Sequence, residues 1–278
     1  MIDHYLNETG VFKNRLGIHN AKDFQRAEND YAKSRLYELE HDGGLKGNFD
    51  SLHLRSLHHF LFQDVYEWAG RTRGDEIEID GIRFTSAPLL SKGETTFELS
   101  PRVNKRLEQA LASVINVGFI GLNRNEFTTR VADLLSQLNA IHPFREGNGR
   151  TQRAFVNELA RSARYFLDWG VVSSERMVSV SIASCNNDLR AMRRLIEEIA
   201  DPVKTKALRD AIGFLEQQKI DWNERYLATA IPGVTYAGVV VATARNHSIL
   251  FSDDHQIIVA RSKDIARGTD AEVHFTAH

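Results

Sequence analysis

From about residue 20 to residue 200 the apolar positions recur three or four apart, interrupted by Gly, Asn and Pro, a period that predicts successive amphipathic helices. Asp50 stands where a cap is expected, before a helix whose apolar face is Leu54, Leu57, Leu61, Val65 and Trp68 and whose end is Gly70. Asn125 is placed to cap a second, with Phe127, Val131, Leu134, Leu135, Leu138 and Ile141 along one side. Further helices are predicted over 101–117, from about 150 through Ala163, and over 174–183 and 187–200. One segment breaks the period: Ile77, Ile79, Ile82 and Phe84 alternate about Asp80-Gly81, the pattern of a tight β-hairpin. Pro88 and Pro101 bracket the loop that leaves it. Beyond Asp201-Pro202 one more helix runs to about 219. Runs rich in Val, Ile, Thr and Phe at 234–244, 248–252, 256–261 and 271–276 then predict strands, with turns at Asn246-His247 and Asp253-Asp254 and a glycine, Gly268, before the last. The chain is read as a mainly α domain carrying a β-hairpin, residues 1–200, and a connecting helix with a small all-β domain, residues 201–278.

At 278 residues the chain can bury a sizeable core. Its 35 Lys and Arg against 37 Asp and Glu leave no basic field to hold a nucleic-acid backbone, so nucleic acid is not expected as a partner. The single cysteine, Cys185, permits no internal disulfide, which indicates a reducing compartment, and it reads as a core residue at a helix end. No apolar run approaches the roughly 18 residues that span a bilayer. Residues 1–17 carry Asp3, Asn7, Glu8 and Lys13 in place of a signal-peptide core, so neither a membrane partner nor general secretory export is expected. His53, His58 and His59 do not converge as metal ligands would and read as surface side chains. Arg193-Arg194 with Glu197-Glu198 reads as a solvated helix face.

The candidate chemistry gathers at residues 142–153, His-Pro-Phe-Arg-Glu-Gly-Asn-Gly-Arg-Thr-Gln-Arg. Pro143 disfavours helix in the residue before it, so His142 sits at a helix end and faces a loop. Gly147, Asn148 and Gly149 form a backbone able to approach a ligand closely, directly before a new helix, and such a junction binds anions. Arg150 and Arg153 project from the first turn of that helix, where the helix dipole disfavours cations unless a polyanion is bound. Glu146 would be repelled by phosphates unless a divalent cation lay between them. Phe144 reads as a core anchor for the loop. The set offers an imidazole base, a metal carboxylate, a phosphate cradle and two guanidiniums.

At every specified position this string resembles the Fic family motif, His-Pro-Phe-x-(Asp/Glu)-Gly-Asn-Gly-Arg-x-x-Arg. Tyr66-x-Trp68-Ala69-Gly70-Arg71 and the 77–85 hairpin are similar to that family's scaffold and target-binding flap, so the resemblance spans about residues 10–200. It implies a Fic fold and a protein adenylyltransferase moving AMP from Mg-ATP to a Tyr, Thr or Ser hydroxyl of a target protein. By the same resemblance His142 is the general base and Glu146 holds Mg2+. Gly147, Asn148 and Gly149 cradle the phosphates, Arg150 binds the leaving pyrophosphate portion and Arg153 reaches the γ-phosphate. The flap residues Ile77, Glu78, Ile79, Asp80, Gly81, Ile82, Arg83, Phe84 and Thr85 would hold a target segment as an added strand. Transfer of another nucleotide or phosphoryl group, and a docking protein without activity, are the other readings of the motif.

Many Fic proteins carry an inhibitory Ser/Thr-x-x-x-Glu-Gly/Asn helix. Ser34-Arg35-Leu36-Tyr37-Glu38 has the spacing, but Leu39 follows, and the segment reads as scaffold. The resemblance then implies either a separate small antitoxin that supplies the glutamate or an unrestrained enzyme. A Fic domain followed by a small β-domain is similar to Bartonella-type effectors delivered by type IV secretion, in which an OB-like fold follows the catalytic domain. That implies a protein of the bacterial cytoplasm before delivery, acting on a host-cell protein, although the secretion-signal domain of those effectors is not in this sequence. OB folds often bind nucleic acid. Between Arg225 and His278, however, the charges roughly cancel and Tyr236, Phe251 and Phe275 stand singly, so a structural or docking role is expected.

Overall fold

A computed structural model describes residues 3–244, 246–252, 255–265 and 272–278. The chain forms two compact units, Met1–Asn123 with Arg130–Tyr165, and Arg124–Thr129 with Phe166–His278.

The first unit is built on helices α1 (Ala21–His41), α2 (Ser51–Phe62), α3 (Val103–Val117), α4 (Arg124–Ile141, beyond its first turn) and α5 (Asn148–Ser162). α2 packs against α1, α3 and α5. Asp50 caps it as expected, accepting from the His53 N–H at 2.8 Å, and Leu54, Leu57 and Leu61 are buried. The helix stops at Phe62, well before Gly70. The turn there brings Asp64 onto Arg35 of α1 at 2.6 Å and stacks Tyr66 on Trp68 with ring centroids 4.2 Å apart, contacts that a continued helix would not permit. Because α2 is packed on several sides, His53 and His58 are buried and not at the surface. His53 Nε2 lies 2.8 Å from Glu158, and of the three histidines only His59 is exposed. α4 begins at Arg124, which puts Asn125 inside its first turn; its predicted face, Val131, Leu134, Leu135, Leu138 and Ile141, is buried.

Strands β1 (Glu76–Ile79) and β2 (Ile82–Thr85) pair antiparallel, with Ile79 opposite Ile82. Asp80 and Gly81 both take positive φ, 52° and 74°, the requirement of a two-residue turn matched to strand twist. A second hairpin, β3 (Ser91–Lys92) and β4 (Thr95–Thr96), lies inside the loop expected between Pro88 and Pro101.

The second unit holds α6 (Ser174–Cys185), α7 (Arg190–Ile199) and α8 (Pro202–Gln217), then β5 (Tyr226–Thr229), β6 (Thr235–Thr243), β7 (His247–Phe251), β8 (Gln256–Arg261) and β9 (Glu272–Thr276). Among the described residues these strands form one sheet of order β5-β8-β7-β6-β9, with β5 parallel to β8 and the other pairs antiparallel. Leu250, Ile258, Ala260, Ile265, Phe275 and Ala277 make its core. The four predicted strands are present; β5 was not expected, and Asp253, Asp254 and Gly268 lie outside the described residues. The 193–198 face is not uniformly solvated. Glu198 is buried and pairs with buried Arg176 at 2.5 Å, and it also accepts from the Thr229 N–H at 2.6 Å, because β5 lies against this side. Cys185 is half-buried at the end of α6. α6 and α7 group with the sheet, so the change of packing partner falls at 165/166, whereas the change of sequence period falls near 201. No described helix is long and apolar enough to cross a membrane.

Candidate active site

α4 ends at Ile141, and His142 follows with φ 48°, a left-handed conformation uncommon for any residue with a side chain. Its N–H still closes the last helical turn on the Leu138 carbonyl at 2.9 Å. Arg73 takes up two of the carbonyls at this helix end, its buried guanidinium donating to those of His142 at 2.9 Å and Ile141 at 3.0 Å, while the Ala140 carbonyl accepts from the Glu98 N–H at 3.1 Å. The same guanidinium reaches the Glu98 carbonyl at 2.9 Å and Ser100 Oγ at 3.0 Å, and the Arg73 backbone N–H donates to the Pro143 carbonyl at 2.7 Å.

The His142 ring is stacked on Phe97, centroids 3.8 Å apart and planes 14° from parallel. Both ring nitrogens are buried and neither makes a hydrogen bond of good geometry, although the Asn139 backbone lies close enough to favour the charged ring. Burial pushes the imidazole down to about 3, Lys92 and Arg73 push the same way, and Glu146 opposes them. The ring is therefore neutral.

The loop after His142 is closed from inside. Asn148 Oδ1 accepts from the Phe144 N–H at 2.9 Å and Nδ2 donates to the Phe144 carbonyl at 2.8 Å. Phe144 is the expected core anchor: it has no exposed surface and stacks on His58 at 3.9 Å. His58 Nδ1 accepts from the Gly70 N–H at 2.7 Å, which makes Nε2 the protonated nitrogen that donates to the Glu146 carbonyl at 3.0 Å. Gly147 takes φ 81°, and a Cβ there would lie 2.4 Å from the Phe62 ring. α5 starts at Asn148 without a side-chain cap, and among the described residues the N–H groups of Asn148, Gly149 and Arg150 meet no acceptor. Three free N–H groups at a helix N-terminus form an anion cradle.

Charge is distributed unevenly around the cradle. Burial raises the Glu146 carboxyl, but Lys92 at 3.2 Å, the Gly147 N–H at 3.0 Å and Arg150 outweigh it and hold the group below the usual carboxylate range. Arg150 is clamped by Glu28 of α1 through bonds of 2.8 and 2.6 Å and lies over the Phe62 ring. Arg153 is half-buried and, among the described residues, makes no hydrogen bond or ion pair. The two guanidiniums are thus unlike: one is held by protein, the other is uncommitted.

The structure brings the motif residues together at one junction, with additions that the sequence did not reveal. Glu28, His58, Arg73, Lys92 and Phe97 come from distant positions and carry no spacing signal. Residues 77–85 form their hairpin, but among the described residues none of them bonds, ion-pairs or stacks with His142 or Glu146. Asp80 pairs with Lys13 at 2.9 Å, Arg83 with Glu78 at 2.8 Å, and Phe84 packs on Tyr5. It is the next segment that reaches the site: Phe97 stacks on His142 and Lys92 pairs with Glu146. Among the described residues no three His, Cys, Asp or Glu side chains cluster to hold a metal. A single ionised carboxylate beside a phosphate cradle fits Mg2+, which takes one or two carboxylates and draws its other ligands from phosphate and water.

Residues 48–160 match the Fic/DOC family. The chain is 34% identical over 243 residues to a protein adenylyltransferase of Bartonella henselae, a match covering 84% of this chain and 44% of that protein. It is 34% identical over 194 residues to the probable protein adenylyltransferase y4lH of Sinorhizobium fredii, covering 68% of this chain and 92% of that one. Among solved structures, the type IV secretion system effector protein BepA aligns at TM-score 0.88 and 28% identity over 99% of this chain and 96% of its own. The BepC protein of Bartonella tribocorum with bound AMPPNP aligns at TM-score 0.68 and 29% identity, covering 73% and 98%. The chain belongs to the Fic/DOC family, with a mostly helical Fic fold followed by a small β-domain. It spans less than half the length of the Bartonella henselae relative, 44%.

Proposed function

We propose that the chain transfers AMP from ATP to a hydroxyl side chain of a target protein. The observation that carries this reading is the free N–H cradle of α5 flanked by neutral His142, ionised Glu146 and uncommitted Arg153. AMPPNP bound to BepC, and the adenylyltransferase names of the two relatives above, support the same donor and reaction.

A triphosphate bound at the cradle would be met by the N–H groups of Asn148, Gly149 and Arg150, with Arg153 toward the γ-phosphate. Arg150, held by Glu28, would add positive potential beside the leaving portion. The target oxygen attacks the α-phosphorus; the new phosphorus–oxygen bond forms as the α–β bond breaks, and pyrophosphate leaves. His142 takes the hydroxyl proton on a ring nitrogen, a step open to it because the imidazole is neutral. Negative phosphates beside the ring raise its pKa from about 3, so the base gains strength when the nucleotide arrives. Glu146 is the residue that would hold Mg2+, which when bound supplies charge neutralisation on the phosphates.

We extend the reading to partners and delivery. The target is a host-cell protein aligned along the 77–85 hairpin, as the family resemblance implies. The Ser34–Glu38 segment lies within α1, as scaffold, so the inhibitory glutamate is supplied in trans by a small antitoxin or the enzyme is unrestrained. The strand order β5-β8-β7-β6-β9, with its parallel β5–β8 pair, supports an OB-like domain. The BepA likeness supports type IV delivery from the bacterial cytoplasm.

Incubation with Mg2+, α-32P-ATP and a host-cell lysate tests the reaction. Label should pass to protein and fall by at least about 10²-fold in His142→Ala, while Glu146→Ala should weaken Mg2+-dependent nucleotide binding in calorimetry. No transfer by folded wild-type protein would overturn the reading, and transfer from γ- but not α-labelled ATP would assign phosphotransfer instead.

A further inference from the structure

We propose that Arg73, which lies outside the 142–153 motif, is a positioning residue for His142, setting both the backbone of the base and the ring stacked on it. Four observations converge. The guanidinium donates to the carbonyl of His142 itself and to that of Ile141 before it, and the Arg73 N–H donates to the carbonyl of Pro143 after it. Three consecutive peptides around the left-handed φ of His142 are thereby tied to one residue. A third guanidinium bond reaches the Glu98 carbonyl, directly after Phe97, whose ring stacks on the imidazole at 3.8 Å. The fourth anchors the fork to Ser100 Oγ at 3.0 Å.

The division of labour follows from this geometry. The aim of the His142 ring is set by its own backbone, with the Asn139 backbone beside the imidazole and the Phe97 ring stacked on its face. Arg73 grips the His142 backbone and the segment that carries Phe97. A planar fork with five N–H groups can serve four acceptors in different directions, whereas a lysine ammonium has three donors on one point. Arg73 makes no bond to Glu146, Gly147, Asn148, Gly149, Arg150 or Arg153, so its loss should leave the nucleotide cradle standing while misaiming the base.

The inference rests on the reading of His142 as the base, and the test separates the two. In the full chain, Arg73→Lys retains the charge and Arg73→Gln removes it. In both, kcat for AMP transfer should fall about 10- to 100-fold, within the span of one acid–base group, while the Kd for Mg-ATP by calorimetry stays within about threefold of wild type. The His142 ring-proton NMR signals, moved upfield by the facing Phe97 ring, should shift back toward ordinary values in both variants. A drop shared by both variants assigns the effect to geometry and not to charge. If one variant fails to fold, Ser100→Ala, which removes a single anchor, should show the same pattern in weaker form. Wild-type kcat together with unmoved His142 signals in folded variants would overturn the proposal, as would a parallel loss of kcat and nucleotide affinity. Absence of transfer by wild-type protein would sink the adenylyltransferase reading alone, because the NMR shifts still report whether Arg73 sets the ring.

Discussion

Gly147 meets two separate demands, a φ of 81° and a close approach to the Phe62 ring. A methyl group at this position would be strained by the left-handed backbone and would press into a ring that is already fully buried and packed against Arg150. Gly147→Ala should therefore lower stability by about 2–4 kcal/mol, combining the left-handed penalty with overpacking, and should weaken nucleotide binding as the cradle shifts. Urea unfolding and calorimetry on the same sample check both, and unchanged affinity would show that the cradle tolerates the shift. The need for glycine was legible in the sequence as loop backbone before a helix. The Phe62 contact was not, because nothing in residues 142–153 specifies what lies behind the loop.

At the scale of elements, the motif loop is held against α2 by His58, which joins the Gly70 N–H to the Glu146 carbonyl and stacks on Phe144. His58→Leu keeps the volume but leaves both backbone groups unpaired. It should cost about 2–3 kcal/mol and weaken Mg2+-dependent nucleotide binding, since Glu146 loses its backbone tether; retention of wild-type values in both measurements would show that the tether is dispensable. Sequence reasoning placed His58 at the surface because its helix position was judged without knowing how many neighbours α2 has. The two hairpins show a similar contrast. Ile77 to Phe84 alternate around Asp80-Gly81 and were legible; β3 and β4 are two residues each, too short for alternation, and yet their segment carries the Lys92 and Phe97 contacts to the site.

Across the whole molecule, two neutral buried histidines link stability to pH. Burial is the main cause in both, holding His58 and His142 at about 3, below the ordinary 6.5 of the unfolded chain. Below pH 6.5 the unfolded state takes up protons that these two folded groups refuse. Their contribution is thus fully present above pH 6.5 and is lost as pH falls toward 3, at about 1.4 kcal/mol per pH unit for each histidine. Urea unfolding at several pH values between 6.5 and 4.5 should show His142→Ala with a slope smaller by about one proton than wild type. An identical slope would mean that His142 is protonated in the folded protein.

The sequence by itself determined what is local: the amphipathic helices, the Asp-Gly hairpin and the contiguous run from His142 to Arg153, because helix period, turn chemistry and a loop-to-helix cradle are all written within a few residues of chain. Only the tertiary structure decided how that run is held. Arg73 lies 69 residues from His142, His58 lies 88 from Glu146, and Glu28 lies 122 from Arg150. Their roles arise from burial and from acceptors left unpaired at helix ends, conditions that exist only once the helices have packed.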